Sequence, residues 1–251
     1  MRNVLIIVAQ AIRMLMHDPA ETLRVTLPGL GVWMAGQIYV IVISALAAAP
    51  STGIGVHEII AIPFFALGSV WMAVAWHRHV LIVSDEDPHL EPMSGSMLLR
   101  YFGVTMLIAL IVMGALLLAL ALLLVVVSST NIFSIPLSQQ VVAVVAGASV
   151  FWLMTRLALP LPAIALGTRL SFRESLRETK PISSGLLIFS GAFALITIVL
   201  EQLVGASAPV FAWIIATAFE LIGIYVGASL LTTLYGVLIQ GRDLPGFSLA
   251  R

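Results

Sequence analysis

The sequence contains no cysteine, and only 10% of its 251 residues are charged. The missing cysteines exclude a disulfide scaffold, thiolate metal sites and cysteine catalysis. Twelve basic and twelve acidic residues cancel to a formal net charge of zero, which excludes the clustered basic excess of a nucleic-acid-binding protein. Hydrophobic residues make up 61% of the chain, more than one globular core buries. The composition therefore predicts a membrane protein that crosses the bilayer several times.

Six long apolar stretches predict six transmembrane helices. A helix needs about 20 apolar residues to cross a hydrocarbon core roughly 30 Å thick. Backbone groups in lipid must bond within a helix or a closed barrel, and these stretches are far longer than barrel strands. The predicted fold class is therefore all-α, a polytopic membrane helix bundle that forms a single domain over residues 1–251. The predicted spans cover residues 27–48, 58–76, 101–127, 139–160, 183–204 and 209–238.

The basic residues predict how the bundle lies in the membrane. All twelve fall in, or at the membrane edge of, the segments on one side, whereas the opposite connections at 49–57, 128–138 and 205–208 contain none. Because basic loops stay in the cytoplasm, we expect both termini to be cytoplasmic. Arg156 lies about one turn inside the fourth span, and we expect its side chain to extend toward the lipid headgroups.

Three cytoplasmic segments predict helices that lie at the membrane surface, near residues 3–16, 19–26 and 171–180. The first gathers its polar side chains in one sector, which is typical of an interfacial helix; a simple N-terminal tail is the alternative.

The second and third segments share one pattern. In each, a capping residue is followed three positions later by Glu, which predicts a capping box, and a proline closes the segment. The prolines, Pro28 and Pro181, predict that each short helix ends before its span begins. The match favours a parallel internal repeat that relates spans one and two to spans five and six, with coincidence as the alternative.

Two motifs carry a resemblance to known proteins. They are Trp76-His77-Arg78-His79-Val80-Leu81-Ile82, and the segment 156–167 followed by the 171–180 helix. Both resemble uncharacterised six-span bacterial inner-membrane proteins of the YciC-like type and, more distantly, the membrane domain that accompanies some glycerophosphodiester phosphodiesterases. The resemblance implies the bacterial cytoplasmic membrane. It implies no phosphodiesterase activity, because the sequence contains no such catalytic domain.

Glu220 is the strongest intramembrane polar candidate. It lies about 16 Å into the sixth span at 1.5 Å per residue, near the bilayer midplane. Gly223 and Gly227 on the same stripe form a GxxxG pattern that favours close helix packing. We therefore expect Glu220 to face protein, with Gln37 of the first span as its partner. A proton or cation site and a structural, protonated carboxyl both fit the pattern.

The remaining polar groups predict no chemistry. Glu58 and Glu201 are expected at the outer membrane edge. His57-Glu58 begins like a zinc protease motif, but Ala61 stands where the second His is needed. A loop cluster could attract a metal but is more typical of solvated charge: His77, His79, Asp85, Glu86, Asp87, His89 and Glu91. No nucleophile elbow or P-loop occurs. We therefore expect no enzyme activity, no metal and no cofactor.

The leading functional hypothesis is a non-catalytic accessory or scaffold subunit of a larger membrane complex, of respiratory or photosynthetic type for example. Its expected partners are membrane lipids and other integral membrane proteins, and no nucleic acid. One alternative is a small transporter or channel that uses Glu220. Another is a lipid-binding protein whose interfacial contacts are Arg13, Arg24, Arg173 and Arg177.

Overall fold

The computed structural model describes residues 1–46, 56–82, 92–127, 136–205 and 209–247. Within these ranges the regular structure is helical and contains no strand. The helices are α1 (Arg2–His17), α2 (Pro19–Leu46), α3 (Val56–Leu81), α4 (Gly95–Val127), α5 (Pro136–Leu157), α6 (Pro160–Ala165), α7 (Phe172–Glu178), α8 (Ser183–Gly205) and α9 (Pro209–Leu238). A turn of 3₁₀ helix, Lys180–Ile182, joins α7 to α8.

Six segments of the described chain are long and apolar enough to cross a membrane, so the predicted all-α bundle is confirmed. They are Pro19–Ile43, Ile59–Leu81, Gly95–Leu122, Gln140–Ala165, Lys180–Gly205 and Phe211–Leu238. The arginine-bearing ends of these helices meet at one end of the bundle, together with α1, α6 and α7. We call this end the basic end.

The first span differs from its prediction, because α2 is continuous from Pro19 to Leu46 and contains Pro28. The expected separate helix at 19–26 is therefore wrong. A proline removes one backbone hydrogen bond, but membrane helices tolerate this loss where hydroxyl side chains and neighbouring helices compensate. The predicted cap is present, since Asp18 Oδ1 accepts from the Glu21 N–H at 3.0 Å.

Helix α1 confirms the helix predicted near 3–16, and one of its faces packs against the bundle. Val4, Ile7 and Ala11 are buried, chiefly against α9 and α8. Leu5 and Ile12 remain about half exposed, at 51% and 47%, and lie roughly 100° further round the helix at 100° per residue. The helix therefore presents one face to protein, one apolar face outward and one polar face.

Helices α2 and α3 form the tightest pair in the bundle, because two glycines let their backbones touch. A Cβ atom added at Gly29 would lie 2.7 Å from the Met72 nitrogen, and one at Gly68 would lie 2.7 Å from the Trp33 nitrogen. This close approach buries Trp33 completely. Helix α8, in contrast, packs mainly on α5 and only lightly on α9. The two halves therefore pack differently, and the expected internal repeat does not extend to the packing.

The continuous helix of the fourth span ends earlier than predicted, although the apolar segment extends to Ala165. Helix α5 stops at Leu157, and the prolines at 160 and 162 begin the separate helix α6, since proline suits the first turn of a helix. All six residues of α6 are buried, where they contact α3, α4 and α9. Gly167 then takes a positive φ of 75°, which ends the turn in the backbone region that glycine favours. A short helix therefore fills the middle of the basic end.

The glycine contact between α2 and α3 gives a direct test. Gly29→Ala is expected to lower the free energy of unfolding by about 1–3 kcal/mol, because the added methyl overlaps backbone atoms that cannot move aside. Gly31→Ala on the same helix is the matched control, since a Cβ there meets nothing within 4 Å. Unfolding of both variants in mixed micelles would measure this difference, and equal stabilities would contradict the packing.

Candidate functional site

Helix α9 carries a polar face that joins four other parts of the bundle. Its residues are Tyr225, Ser229, Thr232 and Tyr235. Each bonds a different segment: Tyr225 OH to Thr26 Oγ1 of α2 (2.7 Å), Ser229 Oγ to the Ala11 carbonyl of α1 (2.8 Å), Thr232 Oγ1 to His77 Nδ1 of α3 (2.8 Å) and Tyr235 OH to Thr168 Oγ1 after α6 (3.2 Å). The basic half of α9 is therefore the structural centre of the protein.

His77 forms a fully satisfied network between α3, α4 and α9. Its side chain has no exposure, and Nε2 lies 3.1 Å from Tyr101 OH. The Thr232 hydroxyl donates to the Ala228 carbonyl at 2.7 Å, so it must accept from His77 Nδ1–H. Nε2 of the neutral ring then accepts from Tyr101. These donor assignments follow from the hydrogen-bond partners, which allow only this direction.

This network corrects the expectation that His77 belongs to a polar, solvated cytoplasmic loop. Both ring nitrogens are already bonded within the bundle, so neither has a lone pair free for a metal. His79 is exposed, whereas Asp85, Glu86, Asp87, His89 and Glu91 lie outside the described residues, as do the side chains of His57 and Glu58. The described residues contain no group of three His, Asp or Glu side chains that could hold a metal ion.

Three half-buried arginines bind the carbonyl ends of helices at the basic end. The bonds run from Arg78 Nη1 to Ala165 O of α6 (2.8 Å), from Arg156 Nη2 to Leu176 O of α7 (2.9 Å), and from Arg242 Nη1 and Nη2 to Val80 O (3.1 Å) and Leu81 O (2.7 Å) of α3. The last carbonyls of a helix lack partners within it and carry partial negative charge. Each guanidinium therefore both caps a helix and joins it to another.

Arg156 consequently acts within the protein, whereas the sequence predicts that it extends to headgroups. Its guanidinium also bonds Thr179 Oγ1 at 3.2 Å and lies 5.0 Å above the Trp152 ring. The Ser175 hydroxyl returns a bond to the Arg156 carbonyl. These contacts fasten α7 to α5. The four arginines predicted to contact lipid are all exposed, as that role requires: Arg13, Arg24, Arg173 and Arg177.

The predicted capping box at the start of α7 is confirmed. Ser171 Oγ accepts from the Glu174 N–H at 3.2 Å, and Glu174 Oε2 accepts from the Ser171 N–H at 2.8 Å. The backbone N–H and then the hydroxyl of Ser171 lower the pKa of Glu174 from its ordinary value, and Arg177 adds to this effect. Hydrogen bonds to a carboxylate favour its charged form.

Glu220 lies on the outside of the bundle, which differs from the expectation that it faces protein. Its side chain is exposed, Gln37 is buried, and no hydrogen bond joins the two within the described residues. The indole N–H of Trp33 on α2 lies near the Glu220 carboxyl, but the two form no hydrogen bond of normal geometry. Glu201, near the end of α8, is exposed as expected.

The GxxxG stripe beside Glu220 packs against no helix in the part of the chain that the structure describes. A Cβ atom added at Gly223 or Gly227 would meet nothing within 4 Å, so no described helix approaches these glycines closely. Ala216, one turn before Glu220, is exposed as well. We call Ala216, Glu220, Gly223 and Gly227 the Glu220 face. A pattern of small residues indicates close packing, but it does not say whether the packed helix belongs to the same chain.

The polar face of α9 was not among the sequence predictions, although the sequence contains a pattern that indicates it. Hydroxyl side chains recur through the basic half of an otherwise apolar span, at 225, 229, 232, 233 and 235. In a membrane such groups either bond their own helix or bridge to another, and here most of them bridge.

Comparison with known proteins adds no candidate, since no family model, curated protein or solved structure matches the chain.

The His77 network makes a stability prediction. Thr232→Val is expected to lower the free energy of unfolding by about 1–3 kcal/mol, because it leaves the buried Nδ1–H of His77 without an acceptor. Thr197→Val is the matched control, since the Thr197 hydroxyl bonds only the Phe193 carbonyl of its own helix. Denaturation in mixed micelles would measure both. Equal losses in the two variants would contradict the network.

The capping box makes a titration prediction. The carboxyl of Glu174 is expected to titrate below its ordinary value of 4.5, so its stabilisation of α7 is present above pH 4.5 and is lost as the pH falls through the lowered pKa. Ser171→Ala should move the midpoint toward the ordinary value, whereas Ser171→Thr, which keeps the hydroxyl, should not. Carbon NMR of the Glu174 carboxyl would measure this. Identical midpoints in all three proteins would exclude a contribution of the Ser171 hydroxyl and leave the backbone N–H as the cause.

Proposed function

We propose that this integral membrane protein is a non-catalytic accessory or scaffold subunit that holds another membrane protein against α9. The observation that supports this proposal is the Glu220 face, which combines an exposed carboxyl with two glycines that no described helix covers. We further propose that the protein lies in a bacterial cytoplasmic membrane with both termini inside. The gathering of the arginines at the basic end supports that orientation through the positive-inside rule.

The Glu220 face is poorly suited to lipid. Glu220 lies about 16 Å from the start of α9 by helical rise, deep in the apolar span. A charged carboxyl at such depth costs roughly 2.5–3.5 kcal/mol on insertion scales, and a neutral one still exposes polar atoms to the hydrocarbon. A helix from another protein would lower this cost by donating a hydrogen bond, and the two glycines would let its backbone come close.

The chemistry of the face favours a different protein over a second copy. A symmetric pair of α9 helices meeting at Gly223 and Gly227 would also bring two Glu220 carboxyls together, because a two-fold contact places each residue near its own copy. When both carboxyls are ionised, like charges at short range disfavour that pair. The partner helix is therefore expected to carry a donor such as Arg, Lys, Asn or Ser at the depth of Glu220.

The transporter alternative receives no specific support. A transport site normally lies between helices, near the midplane and among several polar groups. Glu220 is instead on the outer surface, and the buried Gln37 forms no hydrogen bond with it within the described residues. No observation on the described residues favours this alternative over docking.

Co-purification tests the proposal. Gly223→Leu places a large side chain where the partner backbone would lie, so the variant should lose a partner membrane protein that the wild type retains from native membranes in mild detergent. Gly114→Leu on α4 is the control, because Gly114 is an exposed glycine whose Cβ also meets nothing within 4 Å. Crosslinking from position 220 should identify the same partner.

The outcomes separate the alternatives. Wild type that purifies as a lone monomer would overturn the proposal, and so would a partner retained equally by both variants. A homodimer broken only by Gly223→Leu would replace the foreign partner with a second copy. Loss of ion-coupled flux in reconstituted Glu220→Gln vesicles, with no partner present, would favour the transporter.

A further inference from the structure

Exposed basic side chains form a strip beside the start of α8 at the basic end. They belong to α7 and to the short segments just before and after it, and we call them the α7 strip: Arg169, Arg173, Arg177 and Lys180. Residues 169–180 contain two acids, Glu174 and Glu178, so four positive charges against two negative ones leave a formal charge of +2. No member of the strip belongs to the Glu220 face, so its role does not depend on partner docking there.

Both acids in this stretch are already engaged by neighbouring residues. Glu174 Oε2 accepts from the N–H and the hydroxyl of Ser171, each at 2.8 Å. Glu178 Oε1 accepts from Arg177 Nε at 3.0 Å. The remaining three cations of the strip form no side-chain hydrogen bond or ion pair with another described residue: Arg169, Arg173 and Lys180. The strip therefore presents three cations to an anion from outside the chain.

The inner side of α7 fixes the strip in place. Ser175 is buried, and Phe172 and Leu176 pack against the apolar cluster that includes most of α6. Arg156 of α5 bonds the Leu176 carbonyl at 2.9 Å and the Thr179 hydroxyl at 3.2 Å. Because the backbone that carries the cations is already ordered, binding an anion costs little backbone entropy.

The position of the strip matches the level of lipid headgroups. The fifth candidate span begins at Lys180. The exposed apolar side chains of Leu187 and Ile188 follow roughly 10 Å further along α8, at 1.5 Å per residue. In a bilayer these side chains contact acyl chains, which places the phosphate groups of the same lipids near the strip. Clusters of about four to eight Lys or Arg beside a membrane span are typical of anionic lipid binding.

We propose that the α7 strip binds the phosphate headgroup of an anionic phospholipid, whose acyl chains lie along the first turns of α8. The phosphate oxygens accept hydrogen bonds from the strip, and Leu187 and Ile188 contact the chains. The continuity of the basic strip with this exposed apolar surface favours a lipid over an acidic segment of a soluble protein, which would match the charges alone.

The other two arginines predicted to contact lipid lack this excess of charge. Arg24 lies 3.5 Å from Glu21, and over residues 13–24 Arg13 and Arg24 are balanced by Asp18 and Glu21. An anionic headgroup is attracted by a net positive surface. Lipid selection is therefore assigned to the α7 strip and not to the start of α2.

Lipid retention tests this assignment. Delipidated protein in mild detergent would receive equal amounts of dioleoyl phosphatidylglycerol, phosphatidylethanolamine and phosphatidylcholine, and native mass spectrometry would count the bound molecules. Wild type should bind phosphatidylglycerol in preference to the other two. The triple variant Arg169→Gln/Arg173→Gln/Lys180→Gln should lose this preference, because its phosphatidylglycerol binding should weaken roughly fivefold for each charge removed. Its phosphatidylcholine binding should not change.

Two control variants separate the strip from general effects of charge and folding. Arg24→Gln removes an arginine whose side chain is 82% exposed but paired, and it should keep the wild-type preference. Arg169→Lys/Arg173→Lys alters the same sites as the triple variant but keeps their charge, so it should also keep the preference.

Several results would overturn the proposal. They are equal binding of all three lipids by wild type, an unchanged preference in the triple variant, and an equal loss of preference in Arg24→Gln. If wild type showed no lipid preference but bound an oligoglutamate peptide that the triple variant did not, the strip would be assigned to a soluble acidic protein. Soluble glycerol phosphate that bound as tightly as the lipid would overturn the lipid source and indicate a free phosphate ester.

Discussion

The structure depends on one constraint, which is that a backbone carbonyl at the end of a membrane helix needs a hydrogen-bond donor. At the basic end the donors come from other helices. Three arginines bond the final carbonyls of a neighbouring helix: Arg78, Arg156 and Arg242. The same bond therefore caps one helix and fixes its position against another segment. The basic end therefore combines helix termination and tertiary packing, while the apolar halves of the spans pack mainly by shape.

This constraint explains which parts of the fold the sequence predicts. The spans can be predicted from the sequence because apolar length is a property of each segment alone. The capping box at Ser171 and Glu174 can be predicted because its two residues are only three positions apart. The continuity of α2 through Pro28 cannot be predicted in this way, since it depends on the residues that surround the proline in the folded protein. The separation of α6 from α5 is likewise settled by burial among α3, α4 and α9, which a local pattern does not contain.

The candidate sites also combine properties that the sequence predicts with properties that only the fold determines. Depth along a helix can be counted from the sequence, and Glu220 is correctly identified as a polar group in an apolar span. The direction in which it faces depends on rotation of α9, and that rotation is set by Tyr225, Ser229 and Thr232 bonding to three other helices. Those bonds turn the hydroxyls inward and the Glu220 face outward. His77 was misassigned for a related reason, because its partners lie 24 and 155 residues away.

The central place of α9 has a consequence for how the protein is made. A ribosome delivers helices in chain order, so α1, α2 and α3 are made well before the helix that bonds them. Until α9 arrives, the His77 Nδ1–H lacks its acceptor on Thr232, and the Ala11 carbonyl lacks its bond from Ser229. The first three helices are therefore incompletely packed at this stage, and the glycine contact between α2 and α3 is their main interaction. Assembly of the finished bundle is consequently a late event, completed when the last span is released.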